Sequence, residues 1–339
     1  MNLRVKKLQK IIKSENLDGF ISLNPSNIFY LTGFQAEGSI VFVSPKDILL
    51  VVPQLLYLSA KELVDCKVVV AKSIKDFFNK YKVKKIGFEE TASYRQYQRL
   101  KKIEKLEVKS FSNLVENIRS VKDQDEISKI KYACKITTKA VEFADSIIKA
   151  GMTEKHLADR LEYFLRANGA EKSSFDIIVA FEENSAKPHH VPTDRKLKKD
   201  DAIVIDMGCI YNGYCSDLTR TLFLSKIDGY KRKVFNIVKE AKDCAIDVIK
   251  SGISCEKVDF AARSYIKNKG FGKYFIHSTG HGVGIDVHEE PIISANSETV
   301  LKEGMVVTIE PGIYIPNKFG VRIEDVILVK KTGCEVITR

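Results

Sequence analysis

The sequence predicts an α+β protein whose larger C-terminal part is preceded by a smaller α/β part. In the first third of the 339 residues, helical patterns alternate with short apolar runs, which is typical of an α/β layer. In the remainder, helices and strand-like runs do not alternate strictly, which indicates an α+β fold. The change of pattern near residues 119–123 predicts two domains, residues 1–120 and 121–339.

Five apolar runs predict the strands of the first part. They are residues 18–23, 40–43, 48–52, 67–71 and 85–88. Before them, apolar residues from Leu3 to Ile12 recur at helical spacing among lysines, which predicts an amphipathic surface helix rather than a secretory signal.

A long helical pattern opens the second part. Asp123 and Glu126 have the spacing of a capping box, and Gly151 supplies the stop. Further helices are predicted over residues 154–168, 230–250 and 256–269. Strands are predicted over residues 202–206, 214–222, 305–309 and 321–329.

Composition and charge exclude several classes of protein. Hydrophobic residues make up 44% of the chain and charged residues 29%, which fits a globular core and not a disordered chain. The longest apolar stretch, residues 48–60, is interrupted by Pro53 and Gln54 and is too short to span a bilayer. The net charge of +11 is spread along the chain without an arginine-rich arm. We therefore predict neither a membrane nor a nucleic-acid partner.

The cysteines predict a cytoplasmic location. There are seven of them, an odd number, and no two form a Cys-x-x-Cys pair. This pattern is typical of reduced thiols in a reducing compartment.

The predicted hairpin around Asn212-Gly213 carries two aspartates. A two-residue turn there places Asp206 opposite Thr219, and Asp217 two residues before Thr219 on the same face. The two carboxylates are then diagonal neighbours, and they repel each other unless a cation lies between them. The alternative is a pair of solvated strand carboxylates with Arg220 as their partner.

Three histidines and two glutamates follow in apolar or glycine-rich surroundings. His277, His281 and His288 lie among glycines, in a segment that lacks the ending of a phosphate-binding loop. Glu310 ends an apolar strand, and Glu324 lies inside another, where an acid is costly unless it is paired or binds a metal. Arg322, on the same predicted strand face, is the alternative partner of Glu324.

Four carboxylates and one imidazole predict a centre for two divalent metals. The set is Asp206, Asp217, His281, Glu310 and Glu324. It contains too many oxygen donors for a structural zinc site, and oxygen donors favour Mn²⁺ or a similar ion. Paired metals hold a bridging hydroxide and polarise a carbonyl or phosphoryl oxygen, which is hydrolytic chemistry.

These motifs resemble the pita-bread metallopeptidases, the family of methionine aminopeptidase, aminopeptidase P and prolidase. The strings that carry the resemblance are IDMGCIYNGYCSDLTRT, HSTGHGVGIDVHEEP, TIEPGIYIPNKFGVRIED and NSAKPHHVPTDRKLKKDDAIVID. NPSNIFYLTGF resembles a segment of the creatinase-like N-terminal domain of prolidases and aminopeptidases P. The resemblance therefore implies the Xaa-Pro branch, a pita-bread catalytic domain and a homodimer.

The resemblance also implies roles for individual residues. Asp206 and Asp217 would hold one metal, His281 and Glu310 would help to hold the other, and Glu324 would bridge both together with Asp217. Glu310 would also take a proton from the bridging water and deliver it to the leaving proline nitrogen. Outside the metals, the resemblance implies that three histidines steady the substrate: His189, His277 and His288. His190 receives no role.

The predicted function is hydrolysis of the N-terminal Xaa-Pro bond of dipeptides or short peptides, with prolidase favoured over aminopeptidase P. Two metal ions per subunit are expected, Mn²⁺ by preference and Co²⁺ or Zn²⁺ as alternatives. A non-catalytic binding module and a creatinase-type hydrolase are the competing hypotheses, and the five intact ligand positions count against both. Glu182 and Glu183 depart from the upstream pattern of relatives, either as a contact for the substrate amine or as surface-loop residues.

Overall fold

The computed structural model describes residues 3–227 and 229–339, and the chain divides into two compact units. The first unit is Met1–Arg119 and the second is Ser120–Arg339. Both units combine helices and sheets, so the predicted fold class is confirmed. Within the described ranges, no helix is both long enough and apolar enough to cross a membrane.

The first unit is built on one six-stranded sheet. Its strands are β1 (Gly19–Ser22), β2 (Ile40–Val43), β3 (Ile48–Val52), β4 (Lys67–Val70), β5 (Lys85–Glu89) and β6 (Glu107–Phe111). They lie in the order β4-β3-β2-β1-β5-β6, with β1 antiparallel to β2 and parallel to β5. The sequence missed only β6, an edge strand whose side chains are exposed or half-buried and therefore lack an apolar run.

Helices cover this sheet. They are α1 (Leu3–Ser14), α2 (Pro25–Thr32), a 3-10 turn (Gln54–Leu56), α3 (Tyr57–Leu63), α4 (Ile74–Tyr81), α5 (Tyr94–Lys101) and α6 (Leu114–Arg119). Helix α1 buries Val5, Leu8 and Ile12, as its predicted amphipathic pattern requires. The core between sheet and helices contains Phe42, Phe77 and other apolar side chains.

Four long helices frame the second unit. They are α7 (Gln124–Ile147), α8 (Glu154–Ala167), α9 (Gly229–Asp247) and α10 (Cys255–Asn268). The predicted capping box is present, because Asp123 accepts from the Glu126 amide and Glu126 accepts from the Asp123 amide. Thr153 caps α8 in the same way by accepting from the His156 amide.

Within the part of the second unit that the structure describes, the strands form four small sheets. They are β7 (Lys172–Ser173), β8 (Ile178–Phe181), β9 (Ala202–Met207), β10 (Cys209–Tyr211), β11 (Tyr214–Cys215), β12 (Leu218–Phe223), β13 (Gly280–Gly282), β14 (Glu289–Ile293), β15 (Val306–Ile309), β16 (Gly312–Ile315), β17 (Phe319–Arg322), β18 (Asp325–Val329) and β19 (Cys334–Val336). The sheet orders are β12-β9-β8, β11-β10-β7, β14-β13-β15-β18-β19 and β16-β17. Helices α7 and α8 share a core with β8, β9 and β10, whereas α9 and α10 share one with β15 and β18.

Two of the predicted strands are interrupted, and both interruptions carry acidic residues. The strand predicted over residues 214–222 is divided into β11 and β12, which belong to different sheets, and Asp217 lies in the break. The strand predicted over residues 321–329 is divided into β17 and β18, with Glu324 between them. The prediction that Glu324 lies within a continuous strand is therefore wrong.

Candidate metal centre

The hairpin that carries the two aspartates has the predicted register. Thr219 of β12 pairs with Asp206 of β9, as a two-residue turn at Asn212-Gly213 requires. At the break before β12, the chain crosses very close to Gly208, where a Cβ atom would lie 2.0 Å from the Ser216 carbonyl oxygen. This close approach is open only to glycine, and it leaves the Asp217 side chain 7% exposed at the bend.

Strand β13 brings His281 to Asp217 and Glu310. A Cβ atom on Gly280 would lie 1.9 Å from the Thr308 carbonyl oxygen, so glycine allows β13 to lie against β15. The His281 Nε2 atom is 3.5 Å from Asp217 Oδ2 and 3.3 Å from Glu310 Oε1. His281 Nδ1 lies 3.0 Å from the Gly282 carbonyl, which can only accept a hydrogen bond, so Nδ1 carries the proton and donates it. Nε2 is therefore the atom directed at the carboxylates.

Glu324 completes the cluster from the break between β17 and β18. Asp217, His281 and Glu324 each offer one ligand atom, and these atoms lie within 4.8 Å of one another. Glu324 is 1% exposed, and its Oε2 accepts a hydrogen bond of 2.9 Å from Thr219 Oγ1.

Arg322 pairs with Asp206 instead of Glu324. Its Nη2 donates to Asp206 Oδ2 over 2.6 Å, and its Nε donates to Thr219 Oγ1 over 3.0 Å. The alternative in which Arg322 neutralises Glu324 is therefore not what the structure shows. Arg220 was the alternative partner of Asp206 and Asp217. In the structure it instead donates to Asp325 over 2.8 Å.

The carboxyl groups of the cluster differ in the direction in which their surroundings shift the pKa. Burial raises the pKa of Asp217 and of Glu324 well above the ordinary range, and the neighbouring carboxylates raise both further. Burial also opposes ionisation of Glu310, but the hydrogen bond and positive charge of His281 outweigh it and lower the pKa of Glu310. Glu310 is thus the carboxyl group that ionises more readily than Asp217 or Glu324.

The three histidines predicted outside the metals differ in their surroundings. His277 Nδ1 donates to the Ser278 carbonyl over 2.7 Å, and its Nε2 lies 2.9 Å from the Tyr314 hydroxyl. Burial lowers the pKa of His277, which favours the neutral imidazole. The His288 ring centroid is 4.4 Å from that of His281. His189 is exposed and close enough to His288 for its charge to lower the pKa of His288, after the larger effect of burial.

The sequence did not identify Tyr314 or Thr219 as parts of the site. The Tyr314 hydroxyl accepts a hydrogen bond of 2.8 Å from Arg322, and burial raises its pKa to about 12. Tyr314 carries no sequence signal, because an aromatic residue in a strand usually indicates packing. Thr219 could have been found, since the predicted register places it opposite Asp206.

Glu182 and Glu183 bind cations of the chain itself. Glu183 accepts two hydrogen bonds of 2.8 Å from Arg195, which lower its pKa to about 2. Glu182 accepts from the Ala202 amide over 2.8 Å and pairs with Lys231 over 2.7 Å. Both carboxylates are therefore paired with cationic side chains of the chain itself, which favours their interpretation as loop residues.

The donor set fits divalent cations. Asp206 Oδ1 and Glu324 Oε1 are buried and, among the residues that the structure describes, have no hydrogen-bond partner. A buried carboxylate oxygen without a donor is costly, and a cation would compensate it. A set of carboxylate oxygens with one imidazole nitrogen suits a divalent metal ion that prefers oxygen ligands.

Comparison with known proteins assigns the chain to a family. The profile of metallopeptidase family M24 matches residues 128–331, and that of the creatinase/prolidase N-terminal domain matches residues 4–121. This chain belongs to metallopeptidase family M24. Membership of a metallopeptidase family implies an enzyme that uses divalent metals, which agrees with the buried oxygen-rich cluster.

Individual M24 relatives resemble the chain over its whole length. A Xaa-Pro dipeptidase from Pyrococcus furiosus is 40% identical and covers 100% of this chain and 98% of its own. The crystal structure of the prolidase from Pyrococcus horikoshii superimposes with a TM-score of 0.95 at 38% identity, over 100% of this chain and 98% of its own. The crystal structure of the X-Pro aminopeptidase from Thermotoga maritima superimposes with a TM-score of 0.91 at 36% identity, over 98% of this chain and 97% of its own.

Proposed function

We propose that this M24 metallopeptidase hydrolyses the N-terminal Xaa-Pro bond of dipeptides or short peptides. The observation that carries the proposal is the buried cluster of Asp217, His281 and Glu324, with Glu310 beside it, in a chain that aligns from end to end with a named Xaa-Pro dipeptidase. Prolidase activity is favoured because the two relatives with 38–40% identity are named Xaa-Pro dipeptidases, and solved structures of the same identity are named prolidases.

Two metal ions per subunit, with Mn²⁺ preferred over Co²⁺ or Zn²⁺, belong to the proposal. Asp206 and Asp217 would hold one ion, His281 and Glu310 the other, and Asp217 and Glu324 would be shared. The partnerless oxygens of Asp206 and Glu324 support this assignment. Divalent cations bound there supply Lewis-acid polarisation of the scissile carbonyl and lower the pKa of water.

Glu310 is proposed as the proton carrier. Its carboxylate lies beside the cluster, with Oε1 3.3 Å from His281 Nε2, and would accept a proton from the attacking water as the C–O bond forms. Glu310 then gives this proton to the prolyl nitrogen as the C–N bond breaks. An Xaa-Pro bond has no N–H, so its leaving nitrogen depends on such a delivered proton.

The histidines are proposed to orient the substrate. Neutral His277 is fixed by Ser278 and Tyr314, and His189 and His288 lie on the exposed side of the cluster. Imidazole N–H groups of His189 and His288 would stabilise negative charge that develops on the carbonyl oxygen, whereas both ring nitrogens of His277 are already engaged.

Three further points remain proposals. Domains 1–120 and 121–339 are supported by the change of sequence pattern and by the two compact units. A cytoplasmic location is supported by seven free cysteines. A homodimer is supported by the family resemblance alone.

Aminopeptidase P activity is the second candidate, favoured by the TM-score of 0.91 to an X-Pro aminopeptidase. To separate the two, metal-free protein is reloaded with Mn²⁺ and given Ala-Pro or Ala-Pro-Ala, and released alanine is measured. Cleavage of the dipeptide alone supports a prolidase, whereas cleavage of the tripeptide supports aminopeptidase P. Failure to cleave either, with metal bound, would overturn the proposed function.

A further inference from the structure

The carboxylate of Glu154 is a buried junction between two loops. Glu154 is the first residue of α8 and is fully buried. Its Oε1 accepts from the Phe181 amide over 2.8 Å and from Asn184 Nδ2 over 3.0 Å. Its Oε2 accepts from His190 Nε2 over 2.8 Å, and from the amide and hydroxyl of Thr193 over 2.9 and 2.6 Å.

These five hydrogen bonds require a charged carboxylate. Burial opposes ionisation, but the donors together outweigh it and lower the pKa of Glu154. The amides at the start of α8 also favour a negative charge at this end of the helix. A glutamine in the same place has one accepting oxygen and a nitrogen that would face donors, so the isosteric amide cannot replace the carboxylate.

The segment that contains His189 is held on both sides. Before it, the Pro188 carbonyl accepts from Arg322 Nη1 over 3.3 Å. After it, His190 is buried and bound to Glu154, whereas His189 is exposed and near His288. The buried histidine thus anchors the chain, while its neighbour is exposed and close enough to His288 for their charges to interact.

We propose that Glu154, through His190 and Thr193, is a positioning residue that sets the orientation of His189. This inference rests on the proposed function of His189 as a substrate-orienting side chain. The inference also defines a role for His190, to which the sequence assigned none. His190 binds Glu154 at the start of α8 and thereby fixes the backbone next to His189.

The kinetic test compares E154Q in the presence and absence of His189. E154Q should lower kcat/KM about 10- to 100-fold, the usual effect of losing a residue that orients a site group, while its Mn²⁺ content stays at the wild-type value. In an H189A background the same change should lower kcat/KM less than about 2-fold, because the group being oriented is gone. An equal loss in both backgrounds would overturn the proposal.

His190 and Thr153 provide matched variants. H190Q keeps a nitrogen donor near the position of Nε2 and should retain most of the activity, whereas H190M has a similar length without a donor and should behave like E154Q. T153A removes the cap of the same helix without touching the carboxylate, and it should leave kcat/KM within about 2-fold of the wild type. Equal activity of H190Q and H190M would contradict a role for this hydrogen bond.

A structural readout separates this inference from the proposed function. The chain has six histidines, so imidazole resonances in protein labelled with ¹⁵N-histidine can be assigned by substitution. E154Q should shift the resonances of His189 and His190, and T153A should not. If E154Q leaves His189 unshifted, the inference fails even in an active enzyme. If the wild type cleaves no Xaa-Pro substrate but the shift occurs, only the proposed function fails.

Discussion

At the scale of single residues, the surroundings decide which carboxyl group is suited to which task. Asp217 and Glu324 lie among other acids, so burial and repulsion raise the pKa of each, and a cation relieves both effects. Glu310 lies against His281, which lowers its pKa. Carboxyl groups of the same chemical type therefore differ in how readily they ionise because their neighbours differ.

Removal of a shared carboxylate should abolish metal loading and turnover together. E324A and D217A each remove a group for which the cluster has no substitute, so both should lose bound Mn²⁺ and activity. H288A should keep its Mn²⁺ and lose about 10- to 100-fold in turnover, because His288 lies outside the proposed ligand set. Bound metal is measured by elemental analysis after dialysis. Full metal content and activity in E324A would show that the ligand assignment is wrong.

Glu154 should contribute to stability in a pH-dependent manner. Its pKa is lower in the folded protein than in the unfolded chain, so its contribution is fully present above the ordinary carboxyl pKa of about 4.3 and is lost as the pH falls through the lowered value. E154Q should reduce the urea midpoint at pH 7, and the difference from wild type should shrink in acid. Urea titrations between pH 3 and pH 7 test this, and a difference that grows in acid would contradict the sign.

At the scale of secondary structure, interrupted strands place the acidic residues. Asp217 lies where a hairpin passes from one sheet to another, and Glu324 lies between β17 and β18. A break in a strand frees a side chain from the alternation of the sheet and directs it into the space between sheets. The close crossing at Gly208 is the feature that makes the first break sterically feasible.

Replacing Gly208 should therefore damage the site as well as the fold. In G208A the new methyl group would meet the Ser216 carbonyl at 2.0 Å, so the chain beside Asp217 must move. We expect a loss of at least about 2 kcal/mol in stability and weaker Mn²⁺ binding. G229A is the matched control, since among the described residues no heavy atom outside its chain neighbours and its own helix backbone lies within 4 Å of its Cβ position. Denaturant unfolding and metal titration measure both effects, and a stable G208A with normal metal affinity would refute the argument.

At the scale of the whole molecule, the proposed metals would join distant parts of the second unit. The residues that surround the cluster come from the 206–217 hairpin, β13, the end of β15 and the β17–β18 break. A ligand that binds only the folded state stabilises it by mass action. Metal should therefore act as a cross-link between sheets as well as a catalyst.

Mn²⁺ should accordingly raise the unfolding temperature of the metal-free protein. At a free concentration about 100 times Kd, a single bound ion adds about 2.7 kcal/mol to the free energy of unfolding. Calorimetry of EDTA-treated protein with and without Mn²⁺ measures the shift in Tm. The shift should vanish in D217A, and a shift of equal size in that variant would place the stabilising ion elsewhere.

The sequence by itself determined the fold class, helices α1 and α7 to α10, strands β1 to β5, β9 and β15, and the register of the Asp206–Asp217 hairpin. It did not predict helices α2 to α6 individually, nor the strands β7, β8, β10, β13, β14, β16 and β19. The features that it determined depend on local periodicity, caps and turn residues, which a single chain displays directly. The edge strand β6 was not predicted, because its exposed and half-buried side chains form no apolar pattern.

Only the tertiary structure decided which groups meet across the chain. Arg322 pairs with Asp206 rather than Glu324, and Glu154 joins two loops through His190. Contacts between residues more than a hundred positions apart depend on how sheets pack, and strand breaks change the direction of side chains that a regular alternation would predict. The sequence alone does not distinguish between several groups of opposite charge that could pair with a buried charge. Packing therefore decides which of them becomes its partner.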